Sequence, residues 1–254
     1  MMTKRVLAGF HAVGARLRHA PESIEMLYVD ERRRDARMVD LQQRAKALGV
    51  RTTPADVERL RALAGEAPHQ GVVAVAAELE QPASWDDVLN RITATSLLLL
   101  LDGVTDPRNL GASLRVADAA GVSAVVVPRD RSAELTPAAL KAAAGAAETV
   151  PLIAVTNLAR AMDDLRDVGV RLVGAAGEAS QSLFDIDLTG PLAWALGAED
   201  AGLRRLTRER CDVLARIPLA GHVESLNVSV AAGICLFESK RQRELTPISP
   251  DARA

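Results

Sequence analysis

The spacing of apolar residues changes several times along the chain, and each change indicates an element of secondary structure. Apolar residues recur every three or four positions over 6–18 and again over 35–48, which predicts two helices, the second ending at Gly49. Short apolar runs rich in β-branched residues predict strands between them. The predicted strands are 24–29, 50–53 and 71–77, with a further helix over 53–63. Residues 1–80 are therefore interpreted as a small α/β unit.

Continuous apolar runs alternate with helical patterns from residue 96 onward. Strands that are buried on both faces have such runs, so the alternation predicts an α/β fold with a parallel sheet between two layers of helices. The predicted strands are 96–102, 124–128, 152–155, 171–176, 192–196 and 213–217, and the predicted helices are 110–120, 137–147, 158–168, 203–211 and 226–243.

Polar residues and a proline interrupt this pattern between the two parts. Pro82-Ala83-Ser84 is typical of a linker, and Ser84 is a suitable N-cap for a short helix. We therefore expect an N-terminal domain over 1–80, a linker over 81–95, a second domain over 96–243 and a flexible tail over 244–254.

Composition is that of an ordinary globular protein, with 48% hydrophobic and 25% charged residues. The longest aliphatic run, Leu97–Leu101, is far shorter than the ~20 residues of a membrane span. The N-terminus has no apolar stretch typical of a signal peptide. Cys211 and Cys235 form neither a CxxC pair nor a metal-binding pattern. These features predict a cytoplasmic protein without a metal site or membrane association.

Charge differs between the two parts, although the whole chain carries a net charge of only −2. Residues 1–80 contain 13 basic and 11 acidic residues. Arginines 16, 18, 32–34 and 37 are candidates for a phosphate-binding face. Acidic residues interleave with them, so a solvated helix is the alternative. Aromatic residues make up 2% of the chain, which argues against a surface that stacks many bases.

The glycine fingerprint of a nicotinamide-binding Rossmann fold is absent, as are the Walker A and His-Glu-x-x-His motifs. Polar residues instead concentrate in three loops. In the first, Asn109 and Gly111 lie at a helix N-terminus, where free N–H groups can bind an anion, and Arg115 lies on the second turn. Alternatively, Asn109 caps the helix and Arg115 pairs with Asp118.

The second loop, Gly197–Arg205, has glycines on both sides of an acidic pair. Glu199 would lie at the carboxyl ends of the strands, where it could hold a hydroxyl or an arginine. Alternatively, it is a first-turn carboxylate favoured by the dipole of the next helix. The third loop, Ile217–Ala231, leads into a helix that starts with Ser225, Asn227 and Ser229. One N-cap requires only one such residue, so three exceed the need of simple capping, which is the alternative.

Together these loops resemble the three signature motifs of the SPOUT methyltransferases, in their SpoU/TrmH branch. The order and spacing of the motifs match. The matching residues are Asn109-x-Gly111-x-x-x-Arg115, Gly197-x-Glu199-x-x-Gly202 and Ile217-Pro218-Leu219-x-Gly221-x-x-x-Ser225-Leu226-Asn227-Val228-Ser229. Segments 9–13, 69–74, 102–107, 145–151 and 155–160 are similar to bacterial ribosomal-RNA guanosine 2′-O-methyltransferases of this branch. The resemblance covers nearly all of residues 5–243.

This resemblance implies a fold and a set of partners. It implies a deep trefoil knot in the second domain, with S-adenosylmethionine bound in the knot against backbone near Gly197, Ile217 and Leu226. It also implies an N-terminal RNA-binding domain of the ribosomal-protein L30e-like fold. The second domain would form a homodimer with sites near the subunit interface.

The implied reaction is methylation of the ribose 2′-hydroxyl of a guanosine in 23S ribosomal RNA, free or in a pre-ribosomal particle. In our hypothesis Arg115 holds the phosphate and stabilises negative charge that develops on the 2′-oxygen. Asn109 would position the ribose or Arg115, and Glu199 would orient Arg115 or a hydroxyl. Ser225 and Asn227 would complete the polar wall. The alternatives are methylation of another rRNA or tRNA nucleotide, and a non-catalytic RNA-binding protein of ribosome assembly.

Overall fold

The computed structural model describes residues 4–78 and 84–245. Contacts divide the chain into two compact units: the first contains residues up to 81 together with Ala144–Thr149, and the second contains the remainder. The first of the boundaries along the chain falls among residues 79–83, which lie outside the described residues. These residues include Pro82 and Ala83 of the predicted linker. Most of the predicted tail, residues 246–254, also lies outside the described residues.

The first unit is built on a four-stranded sheet with the strand order β1-β4-β2-β3. Strand β4 is antiparallel to both β1 and β2, while β2 and β3 are parallel. The elements are β1 (Lys4–Ala8), α1 (Gly9–His19), β2 (Ile24–Asp30), α2 (Ala36–Ala47), β3 (Thr52–Ala55), α3 (Val57–Ala64) and β4 (Val72–Ala77).

The helix predicted over 6–18 starts later than predicted, at Gly9. Residues 4–8 form β1, which pairs with β4 along its whole length, and the chain enters α1 at Gly9 with φ +86°. Residues 4–8 form a strand despite the helical spacing of their apolar residues, because their backbone groups pair with β4.

Arg16 is not part of a phosphate-binding face, which corrects the prediction. Its side chain is 1% exposed and donates hydrogen bonds to the Ala77 carbonyl at 2.8 Å and to Ser23 Oγ at 3.2 Å. It also forms an ion pair with Glu148 at 3.5 Å. Glu148 belongs to the segment 144–149, which the sequence pattern placed in the second domain. Burial thus assigns Arg16 to the core of the first unit.

The second unit has a seven-stranded sheet with the order β7-β6-β5-β10-β8-β11-β9, and every neighbouring pair is parallel. This confirms the predicted parallel α/β fold, while the knot stays a prediction. The elements are α4 (Trp85–Asn90), β5 (Leu97–Asp102), α5 (Pro107–Ala120), β6 (Ala124–Pro128), α6 (Pro137–Ala143), β7 (Leu152–Val155), α7 (Leu158–Asp167), β8 (Arg171–Ala175), β9 (Gln181–Ser182), β10 (Leu192–Gly197), α8 (Arg205–Glu209), β11 (Val213–Arg216) and α9 (Val228–Leu245).

The core of the second unit lies around its central strands. Leu97–Leu101 of β5 are at most 1% exposed, as a parallel strand covered on both faces requires. Trp194 of β10 is fully buried, and its Nε1 donates to Ser239 Oγ of α9 at 2.9 Å. Within the described residues, no helix is long and apolar enough to cross a membrane.

The strand order places the candidate loops at one edge of the sheet. Strands β5 and β10 are neighbours, with Asp102 opposite Gly197 at their carboxyl ends. The loops that follow these two strands therefore start side by side. In open α/β sheets, ligands bind outside the carboxyl ends of the strands, so this edge is the expected position of a site.

Candidate functional site

One residue from each sequence motif contributes to a hydrogen-bonded cluster at the carboxyl edge of the sheet. Asn109 Nδ2 donates to Glu199 Oε1 at 2.9 Å, and Asn227 Nδ2 donates to the same oxygen at 2.6 Å. Asn227 Nδ2 also donates to Asn109 Oδ1 at 2.9 Å. The three side chains close a ring, which we call the polar cluster. Residues 118 positions apart in the chain are thus fixed against one another.

The polar cluster also caps α9. Asn227 Oδ1 accepts hydrogen bonds from the Ser229 backbone N–H at 3.0 Å and from its Oγ at 2.6 Å, which confirms Asn227 as a capping residue. Glu199 Oε1 accepts from the Val228 N–H at 3.3 Å. Its carboxylate therefore faces the N-terminus of α9, which contradicts the alternative that Glu199 is a first-turn carboxylate of the helix that follows it in sequence.

Asn109 does not cap α5, which contradicts the capping alternative. The N-cap is Asp106, whose side chain accepts from the Arg108 N–H, and Asn109 is the third helical residue. Its side chain is therefore available to the polar cluster. Arg115 is exposed, and its side chain forms no hydrogen bond or ion pair within 4–78 and 84–245. Six residues separate it from Asn109, so the two side chains point about 120° apart around the helix axis.

A cavity of about 360 Å³ lies at the ends of β8, β10 and β11. All three residues predicted to contact the cofactor, Gly197, Ile217 and Leu226, line it, together with Glu199 and Ser225. Its volume falls in the range of small-molecule sites, about 300–1,000 Å³. The polar cluster and the cavity share Glu199. The structure therefore brings together every predicted site residue except Arg115.

Four carboxylates and one arginine line this cavity, which gives it an excess of negative charge. Two of these residues, Glu178 and Arg208, were not identified by sequence reasoning, and they form an ion pair with each other. Glu178 follows β8, and its position after a predicted strand was the available signal. The other acidic residues are Glu199, Asp200 and Glu224. An excess of carboxylates favours a cationic ligand.

The loop after β10 crosses closely over itself. Ala198 and Gly202 form an isolated β-bridge, with the Gly202 N–H donating to the Ala198 carbonyl at 2.8 Å. A Cβ atom on Gly197 would overlap the backbone of Gly202 and Leu203. Glycine is therefore required at position 197, because any larger side chain would displace the loop from this path.

A buried carboxylate anchors the far end of the same loop. Asp102 ends β5 with a side chain that is 0% exposed, and it forms an ion pair with Arg204. Its Oδ2 accepts from the Arg204 backbone N–H at 2.9 Å. Because a buried charge requires a partner, this pair fixes the end of the loop against the sheet.

Neither cysteine supplies a thiolate to this region. Burial raises the pKa of Cys211 to about 12, with a further contribution from the neighbouring Asp212 charge. Burial also raises the pKa of Cys235 to about 12. Both thiols are therefore protonated at neutral pH and unsuited to nucleophilic catalysis.

Replacing Asn227 by aspartate (Asn227→Asp) is expected to disable the polar cluster at neutral pH. The change removes the Nδ2 donor and places a second carboxylate against Glu199, because Asn227 Nδ2 now lies 2.6 Å from Glu199 Oε1. We expect a loss of about 100-fold in catalytic efficiency, as for removal of a positioned donor. The deficit should shrink as the pH falls toward 5, because one proton shared by the pair removes the repulsion.

Asn157→Asp is the matched control for this change. Asn157 caps α7 by accepting from the Arg160 N–H at 3.1 Å, and aspartate caps a helix equally well. Its activity and pH profile should match those of the unmodified protein. An Asn227→Asp variant with the same pH profile as this control would contradict the importance of the polar cluster.

Two models of known families match different parts of the chain. The model of the SpoU rRNA Methylase family matches residues 96–237, which include the polar cluster and the residues that line the cavity. A second model, described as RNA 2′-O ribose methyltransferase substrate binding, matches residues 6–82.

Individual relatives are similar over almost the whole chain. The 23S rRNA (guanosine-2′-O-)-methyltransferase RlmB of Ralstonia nicotianae is 56% identical, with 97% of this chain and 99% of the relative covered. The protein of that name from Pseudomonas aeruginosa is 51% identical, with 94% and 96% covered.

Solved structures give the same result at lower identity. An RNA 2′-O ribose methyltransferase has a TM-score of 0.71 at 26% identity, with 95% of this chain and 89% of that one covered. The SpoU methyltransferase AviRb from Streptomyces viridochromogenes, solved in complex with AdoMet, has a TM-score of 0.68 at 28% identity, covering 95% and 91%.

Proposed function

This chain belongs to the SpoU family of rRNA methylases, and from that premise we propose that it methylates the ribose 2′-hydroxyl of a guanosine in 23S ribosomal RNA, with S-adenosylmethionine as methyl donor. The observation that carries the proposal is the joining of the three motifs in one place. The polar cluster and the cavity share Glu199, so a group bound in the cavity lies next to a fixed set of polar side chains.

The lining and the charge of the cavity suit S-adenosylmethionine. Gly197 and the rest of the loop after β10 form one wall, and Ile217 and Leu226 add apolar lining. The surrounding carboxylates complement the positive charge of a sulfonium group. When bound, the cofactor supplies a methyl group already activated for transfer by that charge. The chain's own residues must then position the hydroxyl and manage its proton.

The polar cluster is suited to positioning rather than to proton transfer. All Glu199 Oε1 contacts come from N–H donors of Asn109, Asn227 and Val228, so this oxygen is fully engaged. Such a preorganised group orients a ribose in line with a methyl donor, which reduces the entropic part of the barrier. We assign Asn109, Glu199 and Asn227 to this role and Ser225 to the adjacent cavity wall.

Arg115 is proposed as the residue that stabilises the reacting oxygen. Guanidinium stays protonated in proteins, so Arg115 serves as a hydrogen-bond donor to phosphate and to the developing 2′-oxyanion, while the proton passes to phosphate or water. Its exposed position and its direction away from Asn109 suggest that it acts on the polar cluster of a second copy.

A homodimer is part of this proposal. Large apolar side chains are exposed on the second unit, including Val230 (50%) and Phe237 (46%) on α9. Covering such side chains is a common reason for self-association. Sedimentation at micromolar concentration tests it, since a single species of 27.0 kDa would contradict a dimer. An rRNA substrate also supports a cytoplasmic location.

The direct test is methyl transfer from labelled S-adenosylmethionine to an unmodified 23S rRNA transcript, followed by identification of the modified nucleoside. We expect 2′-O-methylguanosine. Another 2′-O-methylated nucleoside would keep the chemistry and overturn the target. Absence of transfer to the transcript, to pre-ribosomal particles and to tRNA, with cofactor binding also absent, would favour a non-catalytic RNA-binding protein.

A further inference from the structure

A second cavity, of about 540 Å³, lies wholly within the first unit between α1 and α2. Gly14 on α1 opens it, because a Cβ at this position would meet only Arg18 Nη1, at 3.6 Å. Leu17 and Leu41, from the two helices, contribute apolar surface. We call this feature the α1–α2 cleft. Arg18 and Arg37, two of the arginines predicted from the sequence to form a phosphate-binding face, are among its lining residues.

Guanidinium groups surround the α1–α2 cleft. Arg18, Arg37 and Arg44 line it, whereas Asp40 is its one acidic residue and is held by Arg44 at 3.0 Å. Arg18 is exposed, and its side chain forms no hydrogen bond or ion pair with the described part of the chain. The cleft therefore combines an apolar floor with unneutralised positive charge.

Arg37 is held in a defined orientation. Its guanidinium carbon lies 4.5 Å from the centroid of the Phe10 ring, and its Nη2 donates to His11 Nε2 at 3.2 Å. Phe10 is itself 5% exposed and therefore fixed in the core. An arginine stacked on a fixed ring loses little further entropy when it binds a ligand. Its remaining N–H groups suit a phosphate.

We propose that the α1–α2 cleft binds one unstacked nucleotide of the RNA substrate, with the base on the apolar floor and its phosphate between Arg18 and Arg37. This rests on the proposed function and names the part of the first unit that holds the RNA. Recognition of RNA typically uses splayed bases against apolar or guanidinium surfaces. The volume of the cleft and its mixture of apolar and cationic lining match that ligand. An acidic protein segment would pair with the arginines but would place no base on the apolar floor.

Filling the α1–α2 cleft tests the proposal. Gly14→Gln adds a side chain that occupies the cavity and keeps all three arginines in the chain, and Gly14→Ala is the matched control because its Cβ makes only ordinary contact, at 3.6 Å from Arg18 Nη1. We expect Gly14→Gln to weaken binding of an unmodified 23S rRNA transcript about tenfold, as for loss of one bound base. Gly14→Ala should change it less than twofold, and both should keep the affinity for S-adenosylmethionine.

A charge test covers the case in which Gly14→Gln fails to fold. The double change Arg18→Ala and Arg37→Ala should lower the slope of log affinity against log salt by about 0.7, the value for loss of one phosphate contact. Arg61→Ala, at an exposed position of α3 outside the cleft, should leave the slope within experimental error.

The outcomes separate this inference from the proposed function. Unchanged RNA affinity in Gly14→Gln and an unchanged salt slope in the double variant, in a protein that still methylates RNA, would overturn the cleft as an RNA site. Capture of an acidic ribosomal protein in place of the transcript, with loss of that capture in Gly14→Gln, would also overturn it. Failure of the unmodified protein to bind or methylate RNA would instead remove the proposed function.

Discussion

Gly197→Ala is expected to abolish S-adenosylmethionine binding while leaving the rest of the fold in place. The added methyl group would overlap the backbone of Gly202 and Leu203, so the loop after β10 must move away from its present path. This loop lines the cavity from Gly197 to Leu203, and displacing it removes the surface proposed for the cofactor. We expect the affinity for S-adenosylmethionine to fall at least 100-fold, about 2.7 kcal/mol, and methyl transfer to become undetectable.

Gly233→Ala provides the control for a glycine in the same unit. A Cβ at this position on α9 would lie 3.6 Å from Val116 Cγ1, an ordinary van der Waals contact. Alanine also favours a helix interior over glycine by up to about 1 kcal/mol, so this variant should be as stable as the original or more so. Isothermal titration with the cofactor and a thermal melt distinguish the two variants. Near-normal cofactor affinity in Gly197→Ala would show that the cavity holds something else.

The arrangement of the second unit was largely predictable because its strands are buried on both faces. A continuous apolar run such as Leu97–Leu101 is typical of a strand that is buried on both faces of a sheet. Parallel strands also bring their carboxyl ends to one edge of the sheet. The meeting of Asn109, Glu199 and Asn227 followed from that rule and from the motifs. The individual hydrogen bonds did not follow, because they depend on which helix each loop reaches. Glu199 faces α9 for this reason.

Features that depend on contacts distant in the chain were not predictable. The strand β1 has apolar spacing that suits a helix, and only pairing with β4 makes it a strand. Arg16 has the sequence surroundings of a surface residue, yet Glu148, 132 positions away, stabilises it inside the first unit. The anchoring of Arg204 by Asp102 is a third case. In each, a partner outside the local window decides the outcome.

Arg115→Ala is expected to stop methyl transfer and to spare cofactor binding. Arg115 does not line the cavity, and it forms no hydrogen bond within the described residues, so its loss should not alter the cofactor site. If Arg115 stabilises the developing oxyanion, removing it should lower kcat about 1,000-fold, the upper end of the range seen for removal of such donors. The affinity for S-adenosylmethionine should stay within about threefold. Loss of both properties would contradict the assignment.

Two further comparisons decide how Arg115 acts. Arg115→Lys keeps the positive charge but loses the planar fork, so partial activity would indicate phosphate binding and none would indicate a geometric role of guanidinium. Co-expression of Arg115→Ala with Asn227→Asp tests where the residue acts. If Arg115 reaches the polar cluster of the partner subunit, mixed dimers contain one intact site and about a quarter of the activity returns. If it acts within its own chain, both sites of a mixed dimer remain defective, and no activity returns.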